Sequence, residues 1–554
     1  MTSSTHRFRS WLPRVAAVAA ALVGLVNIAS ALTPNIRWRG HLLLGFEPVE
    51  AMRLFHALAL PAGMALLLVA PYLAKRRRRA WQAAVGLMLA LGAFDLLKGL
   101  DFEETLLTWS VAAILLGGRQ GFRVRHDAIT LRSAVWRVPL LGGAGLALAA
   151  LAIRVSQGHP SWSSVIGETD DLLRWQSGPI QFHRHLSWIP LGVHLLELGT
   201  LAAIAYVIFR PLAAPRSLPS PTAREAAAAL VKAHGSDTLS FFKLRADQHY
   251  HFSADGQAFV GYRIENGVLL LSGDPVGSAA AVPALLGELK AFAESRGLKL
   301  GAVGASERLA GVYEQLGLKT LYLGDEAIIE LDRFSLEGRP IRKVRQSVTR
   351  LAKAGYTSEL RELRDLDAET IAEIEDVLER GRHGAPERGF SMAMDSLTGE
   401  NGHETLVVLA RDEAGRIKGA LHFVPCYGRP TMSLSFMRRD PETPNGLTEF
   451  MVARAAERLK ERGLNEMSLN FAAFAKWIHS PHKRHERVLG KLVALGNPFF
   501  QIESLYRFNA KFFPRWEPRY LVYEGPFGLP RAGIAAMWAE GQLPKPTLRR
   551  LTTA

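Results

Sequence analysis

The sequence predicts a multi-span α-helical membrane domain followed by an α+β domain made of two similar units. Three observations carry this prediction. Apolar windows crowd the first 210 residues, basic residues there collect in alternate short loops, and beyond a proline-rich stretch helix-like and strand-like segments recur twice in one order.

Six windows approach the roughly 20 apolar residues that cross a bilayer as a helix. They are residues 15–32, 54–73, 80–97, 105–116, 138–155 and 186–209. The fourth is the shortest, and the expected count is about six. The first is too long, and too soon followed by others, for a cleaved signal peptide. Short loops rich in Lys and Arg stay on the cytoplasmic side. Arg7, Arg9 and Arg14, then Lys75 to Arg79, then Arg119, Arg123, Arg125, Arg132 and Arg137 form one alternating set. The intervening loops hold Glu47 and Glu50, then Asp101, Glu103 and Glu104, then Glu168, Asp170 and Asp171. This places the amino terminus inside, and an even number of spans returns the remainder to the cytoplasm.

A formal charge of +15 with 48% hydrophobic residues suits a membrane protein facing anionic lipid or nucleic acid. Topology-setting loop charge is the competing explanation. The single cysteine, Cys426, excludes an internal disulfide framework and a cysteine-rich zinc site.

The expected boundaries are a transmembrane domain over 1–210, a linker over 211–222, a first unit over 223–338, a connecting helix over 339–356 and a second unit over 357–554. The linker is rich in proline and lacks an apolar period. The first unit reads as helix 223–233, a short strand 238–244, and strands 250–252, 258–264 and 268–272. Asp255-Gly256 and Asn266-Gly267 are hairpin turn signals between them. Helix 279–296, strand 299–303, helix 307–316 and strand 327–331 complete it. The second unit reads as helix 368–380, strands 405–411, 417–424 and 431–436, helix 447–462, strand 466–470, helix 485–495 and strand 519–523. In element order both units resemble the GNAT acyltransferase fold, used in tandem.

Between the units, residues 339–355 form a basic amphipathic helix. Arg342, Lys343, Arg345, Arg350 and Lys353 cover its surface, and Ile341, Val344, Val348 and Leu351 make a narrow apolar stripe. Contact with nucleic-acid phosphates or lipid headgroups is one reading, and a solvated bridge between units is the other.

No spacing for a Walker loop, a dinucleotide fingerprint or a zinc-protease helix occurs in the soluble part. His479, His482 and His485 lack a nearby carboxylate or cysteine, so a basic loop is favoured over a metal site. More informative are polar groups at strand ends, Asp274 in Gly273-Asp274-Pro275 and Asn470 in Ser468-Leu469-Asn470, with turn formation as the plain alternative. Arg438 and Arg439 with Pro444-Asn445-Gly446 bracket a helix start, an arrangement suited to anions, although Asn445 also suits a cap. Residues 505–523 interleave Arg507, Lys511, Arg515 and Arg519 with Tyr506, Phe508, Phe512, Phe513, Trp516 and Tyr520. Stacking surfaces beside cations suit the single-stranded end of an RNA, and ordinary packing is the alternative.

These segments together resemble the lysylphosphatidylglycerol synthase family, the aminoacyl-phosphatidylglycerol synthases linked to resistance against cationic peptides. The resemblance runs through 241–277, 326–355, 437–446, 465–472 and 505–523. It implies transfer of an aminoacyl group, lysine foremost, from aminoacyl-tRNA to phosphatidylglycerol at the cytoplasmic face of a bacterial inner membrane. About six spans are fewer than synthase and flippase together need, so lipid synthesis is expected and flipping is not. Asp247-Gln248 and Glu449 depart from the family's usual Asp-Lys and aspartate, and residues 390–395 match only at Phe390-Ser391, which leaves amino acid and acceptor open.

An aminoacyl ester is already activated, so no cofactor and no metal is expected. The implied catalytic residues are Lys511 and Arg519, facing the ester and phosphate groups, with Asn470 positioning them. Implied substrate-binding residues are Asp274, Arg438, Asn445, Glu449, Arg345, Arg350, Arg515 and Trp516. Implied partners are aminoacyl-tRNA, phosphatidylglycerol or a related anionic lipid, and the membrane; a homo-oligomer is left open. Two other readings compete. An acyl-coenzyme A dependent N-acyltransferase wants a glycine-rich pyrophosphate loop that is not evident. A transporter with a cytoplasmic regulatory domain would use Asp95, Lys98 and Glu197 within the spans.

Overall fold

The computed structural model describes residues 2–32, 49–99, 101–122, 124, 128–156, 160–176, 178, 180, 182, 189–209, 218–382, 384, 389–473, 502–525 and 528–543. The chain divides into two units at residues 214–215.

In the first unit every apolar window falls on a helix as far as its residues are described: α1 (Thr2–Leu32), α2 (Val49–Ala74), α3 (Arg78–Gly99), α4 (Phe102–Gly117), α5 (Ala128–Ser156) and, after a short α6 (Trp162–Leu173), α7 (Ile189–Phe209). Among the described residues four stretches are long and apolar enough to cross a membrane: 12–30, 78–97, 135–155 and 189–209. At 16 residues α4 is about 24 Å long, short of a hydrocarbon core. Glu103 and Glu104 sit in its first turn, where the helix dipole favours carboxylates. The structure departs from the expected loop at Glu168, Asp170 and Asp171, which lie on α6. Val165, Thr169 and Leu172 supply that helix with an inward stripe. Large apolar side chains such as Leu22, Leu106, Leu140 and Leu191 point outward, as lipid contact requires. Asp95 is buried, and Glu197 accepts a hydrogen bond from Trp175 Nε1 at 3.1 Å.

The second unit is organised by one twelve-stranded sheet in the order β1-β2-β3-β5-β12-β6-β11-β10-β9-β8-β7, with β4 paired to β2. Its first half holds α8 (Pro221–His234), β1 (His249–Phe252), β2 (Ala258–Glu265), β3 (Val268–Ser272), β4 (Val276–Gly277), α9 (Ala281–Ser295), β5 (Lys299–Ser306), α10 (Ala310–Gln315) and β6 (Leu318–Glu330). Asn266 and Gly267 both take positive φ, so the Asn-Gly turn closes the β2–β3 hairpin as expected. The expected strand at 238–244 is instead a tight turn ending in a 3-10 helix over Phe241–Leu244. That turn buries Leu239, Phe241, Phe242 and Leu244 together, which an alternating strand cannot do.

The connecting helix α11 (Arg342–Lys353) buries Val344, Val348 and Leu351, with Ile341 just ahead of it, and exposes Arg342, Lys343, Arg350 and Lys353. Then follow β7 (Thr357–Glu362), α12 (Ala368–Arg382), β8 (Leu406–Arg411), β9 (Ile417–Cys426), β10 (Thr431–Arg439), α13 (Leu447–Glu461), β11 (Glu466–Ala473), α14 (Ile502–Ala510), β12 (Arg515–Glu524) and α15 (Gly528–Ala539). The expected helix 485–495 and the histidines 479, 482 and 485 lie outside the described residues. Strand β7 and helices α14 and α15 add to the elements expected from the sequence.

Each half repeats the element order of a tandem acyltransferase-like domain, and the halves exchange a strand. The first half's last strand, β6, pairs with β11 of the second, while the second half's last strand, β12, inserts between β5 and β6. Neither half completes its sheet alone. One core accordingly joins Ala327 and Ile329 of β6 to α11, α13, β9 and β10.

Candidate active site

Parallel strands that stop pairing leave facing backbone groups outside the ladder, where a ligand can meet them. The sheet has two such partings. Strands β10 and β11 pair at Thr431–Glu466, Met432–Met467 and Ser433–Ser468, then separate while each stays paired to its other neighbour. Both strands are bulged there, between Leu434 and Phe436 and between Ser468 and Phe471. In the first half β3 and β5 part after Ser272–Val303, with Gly304 at φ +77°.

The two wedges are filled differently. In the first, Asp274 is 1% exposed and accepts from Ser306 N–H at 3.0 Å and Ser306 Oγ at 2.5 Å. Burial raises its carboxyl above the usual range. Asp274 thus seals the wedge, with both carboxylate oxygens engaged by Ser306. In the second wedge Asn470 stands at φ +69° and donates from Nδ2 to Leu434 O at 2.9 Å and to Met392 O at 2.5 Å. Its own N–H goes to Ser468 Oγ at 3.0 Å. Segment 389–397 crosses this point. Met394 N–H bonds Ser435 Oγ, Phe390 and Ser391 are held by buried Glu540 of the carboxyl-terminal segment, and Gln248 Nε2 reaches Phe390 O at 3.0 Å.

Lys511 and Glu449 are brought together, Nζ to Oε1 at 2.7 Å, with the lysine 38% exposed and lying over the Phe508 ring. Glu449 is in the first turn of α13. Gly446 caps that helix at φ +94°, where a Cβ would lie 2.7 Å from Ser347 Oγ and 2.9 Å from Arg350 Nη2, so α11 presses directly on the turn. Arg350 donates to Asn445 O. Asn445 therefore contributes through its backbone, and the cap itself is the glycine. Arg345 donates to Leu336 O and Gly338 O, and with Arg350 and Lys353 it lines a surface groove of about 380 Å³. Arg438 lines a separate cavity of about 270 Å³ with Arg245, Arg382, Asp395 and Phe436.

Three residues expected to meet ligand are engaged by the protein itself. Arg519 is 2% exposed, and its guanidinium meets Glu326 at 2.9 Å and 2.5 Å, Asp237 at 2.7 Å, Thr238 Oγ1 at 2.9 Å and Gly304 O at 3.4 Å. A cation so enclosed by its own carboxylates does not face an ester or phosphate. Burial alone would lower its pKa, but Asp237 and Glu326 raise it well above the usual arginine value. Arg515 is 41% exposed but engaged by Glu330, Glu466 and Glu517, so its charge is already matched. Trp516 stacks on Tyr506 with centroids 4.8 Å apart and packs on the core, which is the packing alternative for this segment.

Several buried polar groups carry no motif that marks them in the sequence. Lys243 is fully buried beside Asp237 and Asp274, and burial pulls its ammonium down to about 8. His422 is 1% exposed and pushed down to about 3 by burial, so it is neutral. Cys426 is pushed up to about 11 by burial, which removes thiolate chemistry near neutral pH. The one available signal for Glu326 is a charged letter inside an apolar strand run, Glu326-Ala327-Ile328-Ile329.

Residues 228–523 match the family model described as phosphatidylglycerol lysyltransferase, C-terminal. The chain is 32% identical over 572 residues to the lysylphosphatidylglycerol biosynthesis bifunctional protein LysX of Mycobacterium avium, an alignment covering 99% of this chain and 48% of that protein. It is 37% identical over 361 residues to LysX of Rhodococcus jostii, covering 64% of this chain and 32% of that one. The chain thus spans about half the length of such relatives. Among solved structures, the C-terminal domain assigned as a lysylphosphatidylglycerol synthetase from Agrobacterium fabrum superimposes with a TM-score of 0.51 at 25% identity, covering 58% of this chain and 97% of that one. L-PGS from Bacillus licheniformis shares the fold with a TM-score of 0.54 at 22% identity, over 60% of this chain and all of that one. With more than half of its residues inside the family pattern, on the sheet that carries the parted strands, the chain belongs to the phosphatidylglycerol lysyltransferase C-terminal family.

Proposed function

We propose that this protein is an aminoacyltransferase that moves an aminoacyl group, lysyl foremost, from a charged transfer RNA to a hydroxyl of phosphatidylglycerol at the cytoplasmic face of a bacterial inner membrane. The family match over 228–523 carries this reading. Four helices long and apolar enough to cross a membrane support a membrane-held acceptor, and the six apolar windows with their loop charges favour about six spans with the amino terminus inside. Raised surface charge and resistance to cationic peptides would follow from the product.

The chemistry needs no protein nucleophile. The acceptor oxygen attacks the ester carbonyl carbon, an oxyanion forms, and the bond to the ribose oxygen breaks as that oxygen takes the proton that the acceptor hydroxyl gave up. Glu449 is the group set to receive the acceptor proton, and Lys511, 2.7 Å away, the cation set to face the oxyanion. Asn470 shapes the wedge, Arg438 lines the neighbouring cavity, and Arg345 and Arg350 on α11 offer charge to RNA phosphates.

Membranes containing the protein, incubated with labelled aminoacyl-tRNA and extracted with organic solvent, should yield labelled phospholipid, and ribonuclease pretreatment should remove it. Lysyl-tRNA should serve best in a panel of charged RNAs. No labelled lipid with any of them would refute the proposal.

A further inference from the structure

The buried charges at the centre of the sheet are not explained by stability, since an ion pair in the interior is often matched or bettered by apolar residues of similar volume. What such a pair adds is direction. Both oxygens of Glu326 are committed: Oε2 to Arg519 Nε and Nη2, Oε1 to the hydroxyl of Ser468. With its proton given to Glu326, Ser468 Oγ can only accept, and it accepts the Asn470 N–H. Asn470 is a non-glycine residue in the left-handed region, a conformation that persists when its surroundings over-determine it. Held there, its side-chain amide ties Leu434 O on β10 and Met392 O on the crossing segment, so one residue sets the spacing at which the strands part. The guanidinium that fixes Glu326 also touches Gly304 O, the positive-φ bulge of the sealed wedge, and Asp237 and Thr238 of the first half.

We infer that Glu326, Arg519 and Ser468 form a positioning relay that fixes the Asn470 bulge, and through it the spacing of β10, β11 and the crossing segment 389–397, by anchoring it to the wedge of the other half that Asp274 fills. The inference takes from the proposed function only that Asn470 belongs to the site of acyl transfer. The exchange of β6 and β12 is what makes the relay work, because Glu326 comes from the first half's last strand and Arg519 from the second's. None of the three is a catalytic residue, because each acts through Asn470.

Ser468→Ala cuts the relay and leaves the ion pair in place. In full-length protein in detergent, the Asn470 amide should exchange with solvent faster in the variant, with α11 and α13 unchanged. In the lipid aminoacylation assay kcat should fall about tenfold to a hundredfold with KM for the aminoacyl-tRNA unchanged. Because both act on one bulge, Ser468→Ala combined with Asn470→Ala should lose no more than Asn470→Ala alone. Multiplicative losses, or unchanged exchange at Asn470, would overturn the relay. Faster exchange in the variant together with a wild-type protein that labels no lipid would refute the proposed function and uphold the relay. Should Ser468→Ala fail to fold, Asn470→Gly replaces it: glycine keeps the backbone conformation, so retained exchange protection at Met394, whose N–H bonds Ser435 Oγ beside the Asn470 tie, would overturn the relay and lost protection would support it.

Discussion

Replacing Arg519 by methionine separates the buried reading of this residue from the ligand-facing one. The side chain fills a site 2% exposed and is bonded to Glu326, Asp237, Thr238 and Gly304. Methionine restores much of the volume but strands two interior carboxylates. Removing one partner of a buried ion pair costs about 3–5 kcal/mol, and the individual bonds do not add beyond that because they share one group. At roughly 2–4 °C per kcal/mol for a domain of a couple of hundred residues, the thermal midpoint should drop by roughly 6–20 °C. Arg515→Met is the control. That arginine also meets three carboxylates but at 41% exposure, so its loss should cost at most about 1 kcal/mol. Thermal unfolding of both variants and wild type, followed by near-ultraviolet circular dichroism in detergent, gives the comparison. An Arg519→Met variant as stable as wild type, yet inactive, would refute the reasoning and return Arg519 to the substrate.

Lys511→Ala and Glu449→Gln should each lower kcat for lipid aminoacylation by about a hundredfold or more without moving the unfolding midpoint, since their pair lies at a partly open surface; full activity in either would remove that pair from the reaction. His422 holds no proton in the folded protein until about pH 3, whereas the unfolded chain binds one below its ordinary value of 6.5. Stability should therefore decline as pH falls from 6.5 toward 3, by up to about 5 kcal/mol from this group. His422→Leu should flatten that decline relative to wild type in denaturation curves at stepped pH, and an identical decline would assign it elsewhere. Reversing Arg342, Lys343 and Lys353 to glutamate should weaken RNA association and reduce the slope of log affinity against log salt by about 0.7–0.9 for each phosphate no longer neutralised. An unchanged slope in filter binding would place the RNA away from α11.

Much of the architecture was legible because its signals are local. The apolar stripe of α11 depends only on its own spacing, and Val344, Val348 and Leu351 are buried as that spacing requires. The Asn266-Gly267 turn is equally plain, since few dipeptides accept two positive φ values. The six apolar windows all coincide with helices because bilayer-length hydrophobicity and helix-forming composition occur in the same letters. Where local signals conflict, legibility ends. Residues 238–244 carry apolar residues suited to a strand, yet packing two phenylalanines against α8 and β2 favours a turn. The early part of β6 is hidden because residues 318–326 mix charge with apolar letters.

Of the candidate site, Lys511 and Glu449 stand out separately, in a basic–aromatic run and at a helix start 62 residues apart, and only packing shows them as one pair. The opposite holds for Arg519 and Arg515. Both are arginines in the same run, and no local feature says that one is sealed between two halves while the other stays at the surface.

By itself the sequence determined the split into an apolar helical part and an α+β part, the helices and hairpins, and the segments that mark the family. These follow from composition and short-range periodicity, which each stretch carries with it. The tertiary structure alone decided the exchange of β6 and β12, the sealing of one wedge by Asp274 and the bridging of the other by Asn470, and the burial that encloses Arg519 among its own carboxylates. Those outcomes depend on which distant segments meet, and the charge of a residue says nothing about the partners that will surround it.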